Sequence, residues 1–239
     1  MSKNITGTSG NDSLIGSLHE SNRIKGLDGN DTIRGGFNRD TLYGGNNRDT
    51  LYGGSNRDKL FGEGASDKLF GGSNNDTVSG GSGNDSAYGG SGNDTVYGDS
   101  GSDYIKGDSG SDRLYGSSGR DTLLGGSEND YLSGGSDNDF LNGSNGRDTL
   151  RGGSGADLFI LDPDQSSYDI IRDFDPSEGD RLSSNASRYL YKMSSSDALV
   201  YEDNFPNPEG ENLIAIIENT SSRIMNNQGL TQIRGTGDV

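Results

Sequence analysis

The sequence predicts an all-β repeat fold followed by a smaller, non-repetitive β-rich region, and three observations predict it. A nine-residue unit runs in phase from Gly26 to Asp157, with glycine first, aspartate five places later and an apolar residue two places after that. Such a unit reverses the chain in every copy, and glycine supplies the positive φ values that tight reversals need. Only short strands fit between the reversals. All four prolines, at 163, 176, 206 and 208, lie beyond the repeats, so the regular region ends near residue 160.

The first glycines stand at every ninth residue from Gly26 to Gly152. The apolar positions run from Ile33, Leu42, Leu51 and Leu60 to Leu150 and Phe159. The aspartates are Asp31, Asp40, Asp49, Asp58, Asp67, Asp76, Asp85, Asp94, Asp103, Asp112, Asp121, Asp130, Asp139, Asp148 and Asp157, with Asp12 in an earlier copy at Gly7-Thr8-Ser9-Gly10-Asn11-Asp12. The unit reads Gly-Gly-x-Gly-x-Asp-x-apolar-x, matched in full at Gly80-Gly81-Ser82-Gly83-Asn84-Asp85.

In these residues the chain resembles the RTX (hemolysin-type) nonapeptide calcium-binding repeat of secreted bacterial proteins. The resemblance implies a right-handed parallel β-roll, a solenoid of two sheets. In it six residues of each unit turn, three form a strand, and two units complete a coil. It divides the chain into a calcium-binding roll over 1–160 and, over 161–239, a C-terminal β-rich cap with a type I secretion region. A secreted, extracellular protein and a type I exporter as partner are implied in the same way.

Composition alone points elsewhere. Against 20 basic residues stand 37 acidic ones, a formal charge of −17, and Leu, Ile, Val and Phe make up about 18% of the chain. That balance belongs to disordered chains, so an ordered solenoid here needs stability from outside its core. The acidity argues against nucleic acid as a partner. Without cysteine, disulfides and thiolate sites are excluded. No apolar run reaches the ~20 residues of a membrane span, and the N-terminus has no signal-peptide core.

Near the N-terminus, Asp12 and Asp31 are nineteen positions apart, two units plus one residue, and Asn22 takes an aspartate slot with Ile24 in the apolar one. This predicts a distorted turn over 17–22 with a weak or missing cation site. His19, the single histidine, lies in that loop with no catalytic partner motif and reads as solvated. Asn38, Asn47, Asn56 and Asn74 replace the third glycine, the residue type that best tolerates a left-handed backbone after glycine. Ala65, Glu128 and Asp137 are poorer replacements and predict distorted loops. Arg39, Arg48 and Arg57 precede ligand-type aspartates, so this early segment is expected to bind a cation less tightly than 80–121.

Beyond the repeats, Leu158–Leu161, 168–174, 198–202 and 213–218 read as strands that close the solenoid, since an uncovered last coil exposes apolar side chains and strand edges. The stretch from Asp173 to Asp180 superficially resembles an EF-hand loop, but its glycine is one place late and no glutamate follows at the twelfth position, so it reads as a cap turn. The tail from Asn219 carries the export signal that the resemblance implies.

The aspartates themselves argue for a cation. Stacked coils place equivalent atoms ~4.8 Å apart, and two carboxylates at that distance repel by ~0.9 kcal/mol in water or ~3.5 kcal/mol at an effective dielectric of 20. Over about fourteen neighbour pairs the sum reaches ~10 kcal/mol, the whole stability of an ordinary domain. Calcium, with oxygen ligands at roughly 2.3–2.6 Å, fits midway between neighbouring turns. An Asx-turn accounts for one such aspartate but not for aligned charge along two edges. Fourteen ions would turn −17 into about +11, which points to partial occupancy, roughly 8–12 ions.

Function follows as a calcium-binding repeat protein with a structural, surface or interaction role, its folding linked to the ion. The alternative is a non-catalytic module of a secreted enzyme or adhesin. A catalytic protein is not expected: the zincin and nucleophile-elbow motifs are missing, and the paired carboxylates recur in every coil as ligands do. Tyr43, Tyr52, Phe61, Phe70, Tyr88, Tyr97 and Tyr115 share one outer position, either a docking face for a cell-surface or glycan partner or, preferred, stacking between coils. Ice binding through the Thr32, Thr41 and Thr50 row is the weakest reading, because Lys59, Lys68, Tyr104 and Arg113 interrupt it.

Overall fold

A nine-residue repeat with one apolar position can bury that position only by stacking on itself, and this chain does so. The computed structural model describes residues 2–161, 168–184, 189–193, 198–202 and 212–217. They form two sheets of 13 and 10 strands, and strands from Lys3–Thr6 to Leu158–Leu161 alternate between them. Within each sheet these strands are parallel, as in Thr50–Ser55 on Lys68–Ser73, so two units make one coil. The fold is the parallel β-roll expected.

The strands are longer than three residues. Most span six, as in Ser86–Ser91, because the second and third positions of the next unit also pair between coils, Gly90 with Gly72 and Ser91 with Ser73. The pairing skips the first glycine of each unit, here Gly89. The true reversal is therefore only about three residues.

One side chain per strand fills the space between the sheets. Ile24, Ile33, Leu42 and their equivalents through Leu150 and Phe159 are fully buried in a single file, with Ala87 the smallest member. Outside, aromatic residues stack from coil to coil. Ring centroids are 5.1 Å apart for Tyr43 and Phe61, 5.0 Å for Tyr52 and Phe70, and 4.9 Å for Phe70 and Tyr88. Arg23 and Arg34 cover the N-terminal faces of Tyr43 and Tyr52.

The second and fourth positions of the repeat both take positive φ. The fourth is left-handed at Asn47, Asn56 and Asn74, and equally at Ala65, Glu128 and Asp137, with φ between 73° and 78°. The expected distortion of those three loops does not occur, because stacking between coils holds the backbone whatever the side chain. Asn38 departs from its three counterparts and is not among the positive-φ residues.

At the C-terminal end the parallel sheet continues through Asp169–Ile171 and Asn212–Ile217, then turns antiparallel through Ala198–Glu202 and Tyr189–Met193. The second sheet ends on Arg181–Ser184. Strands at 181–184 and 189–193 were not expected from the sequence. Phe174 packs on Phe159, closing the file of core residues. The 219–239 segment lies outside the described residues.

Candidate metal centre

Each repeat aspartate follows a tight turn and precedes a strand, so its backbone is held by the neighbouring coil and its side chain points along the stack. The backbone N–H of each aspartate from Asp31 to Asp139 donates to Oδ1 of the aspartate one coil on, at 2.7–2.9 Å. Its carbonyl accepts from the residue after that aspartate, as Asp76 does from Thr95 at 3.0 Å. Two rails result. One runs Asp12, Asp31, Asp49, Asp67, Asp85, Asp103, Asp121, Asp139, Asp157; the other runs Asn22, Asp40, Asp58, Asp76, Asp94, Asp112, Asp130, Asp148.

The second carboxylate oxygen has no such partner. In all fifteen aspartates from Asp31 to Asp157 Oδ2 is buried and accepts no hydrogen bond, while the residues are no more than 4% exposed. A buried, unpaired charged oxygen costs several kcal/mol, and fifteen of them cannot be an accident of packing. Asp12 is different. Its Oδ2 accepts from the N–H of Thr8 at 2.6 Å and from its hydroxyl at 3.0 Å, so of the sixteen expected ligands it alone is satisfied by the chain.

What lies beside each Oδ2 is oxygen. A Cβ added at Gly71 would sit 2.8 Å from Asp76 Oδ2 and 2.5 Å from the carbonyl oxygen of Gly89, one coil on. The first glycine is thus required because a carboxylate oxygen and a carbonyl oxygen converge where its side chain would be. Turn carbonyls also face the next coil: a Cβ at Gly92 would lie 2.9 Å from the oxygen of Asn74. Among the described residues no three His, Cys, Asp or Glu side chains converge on one point. An ion here would take one or two carboxylates and complete its shell with backbone carbonyls, an all-oxygen set that suits calcium and not a thiolate- or imidazole-seeking metal.

Electrostatics reflect the same crowding. Burial raises the carboxyls of Asp58, Asp67, Asp130 and Asp139 to about 8 and those of Asp76, Asp94, Asp103 and Asp112 to about 7; the N–H bond at Oδ1 opposes the rise. Neighbouring carboxylates of the same rail add to it at Asp58, Asp67 and Asp130. The arginines act one coil further along than their place in sequence suggests, Arg48 on Asp67 and Arg57 on Asp76.

Two rail members escaped the nine-residue count. Asp148 N–H donates to Asp169 Oδ1 at 3.1 Å, and Asp157 N–H to Asp180 Oδ1 at 2.9 Å, across spacings of 21 and 23 residues. Their signal was present in the triplets Asp169-Ile170-Ile171 and Asp180-Arg181-Leu182, which keep the aspartate-x-apolar order. Asp180 Oδ2 accepts from the N–H of Asp175 at 2.8 Å, so this residue closes its rail. The 173–180 stretch is a cap turn as expected, with Asp173 accepting from the N–H groups of Gly152 and Gly153.

Fold and rails together define a β-solenoid whose turns gather hard oxygen ligands between successive coils. The model of the RTX calcium-binding nonapeptide repeat (4 copies) matches residues 4–18 and, in overlapping stretches, 20–159. The chain belongs to that family, and membership implies that it binds calcium. No curated protein matches it.

Proposed function

We propose that this chain is a non-catalytic, secreted calcium-binding β-roll whose repeats fold as they take up the ion, and that its role is structural or interactive at a surface. The observation that carries this reading is the row of fifteen buried Oδ2 atoms without a donor. Asp31 to Asp157 would hold the ions together with turn carbonyls, at roughly 8–12 positions. Calcium would supply positive charge between successive carboxylates of each rail and so remove the repulsion that opposes stacking. A calcium-dependent fold suits a chain that passes unfolded through an exporter from low to high calcium.

Stacking of the outer rings supports a part in holding coils together over a glycan platform, since each ring covers its neighbour's face. The test is circular dichroism of metal-free protein titrated with calcium and, separately, magnesium. A cooperative gain of β-signal with calcium and little with magnesium is expected. A chelated chain that keeps its full β-signal at low ionic strength would overturn the reading.

A further inference from the structure

The one unit without an aspartate shows what can stand in for an ion. Asn22 is 3% exposed, and its Oδ1 accepts from the N–H of Ser17 at 2.8 Å, which fixes the orientation of the amide. Nδ2 is thereby turned onto four oxygens: Asp40 Oδ1 at 2.8 Å, the carbonyls of Glu20 at 3.0 Å and Ser17 at 3.3 Å, and the carbonyl of Gly35 at 3.4 Å. Gly35 is the first glycine one coil on, the counterpart of Gly89 beside Asp76. A Cβ added at Gly16 would lie 2.6 Å from Asn22 Nδ2, just as one at Gly71 would lie 2.8 Å from Asp76 Oδ2. Nδ2 therefore stands where each later unit of its rail, from Asp40 to Asp148, has an unpaired carboxylate oxygen, and it carries positive partial charge towards the same carbonyl.

We infer that the side-chain amide of Asn22 replaces the cation at the N-terminal end of its rail, so that the first coil closes without an ion. This rests on the rails being calcium sites. The inserted residue between Asp12 and Asp31 supplies the chain length that brings the Ser17 and Glu20 carbonyls round the amide. On the other rail the Thr8 N–H and hydroxyl satisfy Asp12 Oδ2 in the same coil. Both rails thus begin on hydrogen-bond donors of the chain itself. The first coil is an ion-independent edge onto which later coils stack as calcium arrives.

The test uses the full chain and three proteins, wild type, N22D and N22A, with calcium counted by equilibrium dialysis and amide hydrogen exchange measured in saturating calcium. N22D is expected to bind one calcium more than wild type. N22A is expected to bind the same number as wild type but to lose exchange protection in saturating calcium over Lys3–Thr6 and Asn22–Leu27 by at least tenfold. An N22D that folds in calcium and adds no ion overturns the assignment, as does an N22A with unchanged protection, which stays informative if N22D does not fold. A wild type that binds no calcium would instead sink the reading of the rails as a whole.

Discussion

Asp76 donates its backbone N–H to Oδ1 of Asp94 at 2.7 Å, while Oδ2 of Asp94 is buried with no donor at all. One oxygen ties the coils together; the other is left over. The same division repeats along both rails from Asp31 to Asp157, so each of these fifteen aspartates has a structural half and a half free for a ligand.

The two halves can be separated by substitution. D94N keeps an oxygen for the Asp76 N–H and removes the free carboxylate oxygen, whereas D94A removes both. In saturating calcium D94N is expected to bind fewer ions with a modest loss of stability. D94A should cost about 1–3 kcal/mol more, because it also strands a buried N–H. Urea denaturation with calcium counting checks the difference; equal losses for both variants would contradict the division.

Acidity should partly substitute for calcium. In the unfolded chain the carboxyls titrate near 3.8, and burial raises them to about 7 at Asp76 and Asp94 and about 8 at Asp58 and Asp130. The ion-free fold therefore binds more protons than the unfolded chain between about pH 4 and pH 8. Its stability is greatest at the acid end and falls as pH rises through that window. Circular dichroism of resin-stripped protein should show more β-structure at pH 5 than at pH 8. Calcium affinity should rise over the same range, as fewer protons must be displaced.

Gly71 is required by the site and not by its φ. G71A places a methyl group against Asp76 Oδ2 and the Gly89 carbonyl, so the turn must open. We expect a higher calcium concentration at the folding midpoint, by threefold or more. N74G, at a left-handed position of the same unit, should leave that midpoint within about 1.5-fold, since glycine adopts φ +74° freely.

The outer rings stabilise the sheet. F70A removes the centre of the Tyr52–Phe70–Tyr88 stack and should cost about 0.5–1.5 kcal/mol beyond lost burial. Its calcium count should equal that of wild type. A changed count would mean that the stack shapes the metal sites.

The nine-residue spacing by itself determined short strands between tight turns and one buried apolar position per unit; the two-sheet roll, and with it the two rails, was implied by the resemblance to the RTX repeat. Tertiary stacking decided the rest. Glu128 and Asp137 are left-handed against their own preference because the coils on either side hold the turn. The rails pass the end of the repeat to Asp169 and Asp180 through longer loops, where spacing in the chain no longer measures distance in the stack. Asn22 reads in sequence as a lost ligand; only its four oxygen neighbours, two of them brought from Gly35 and Asp40 on the next coil, turn it into a replacement for the ion.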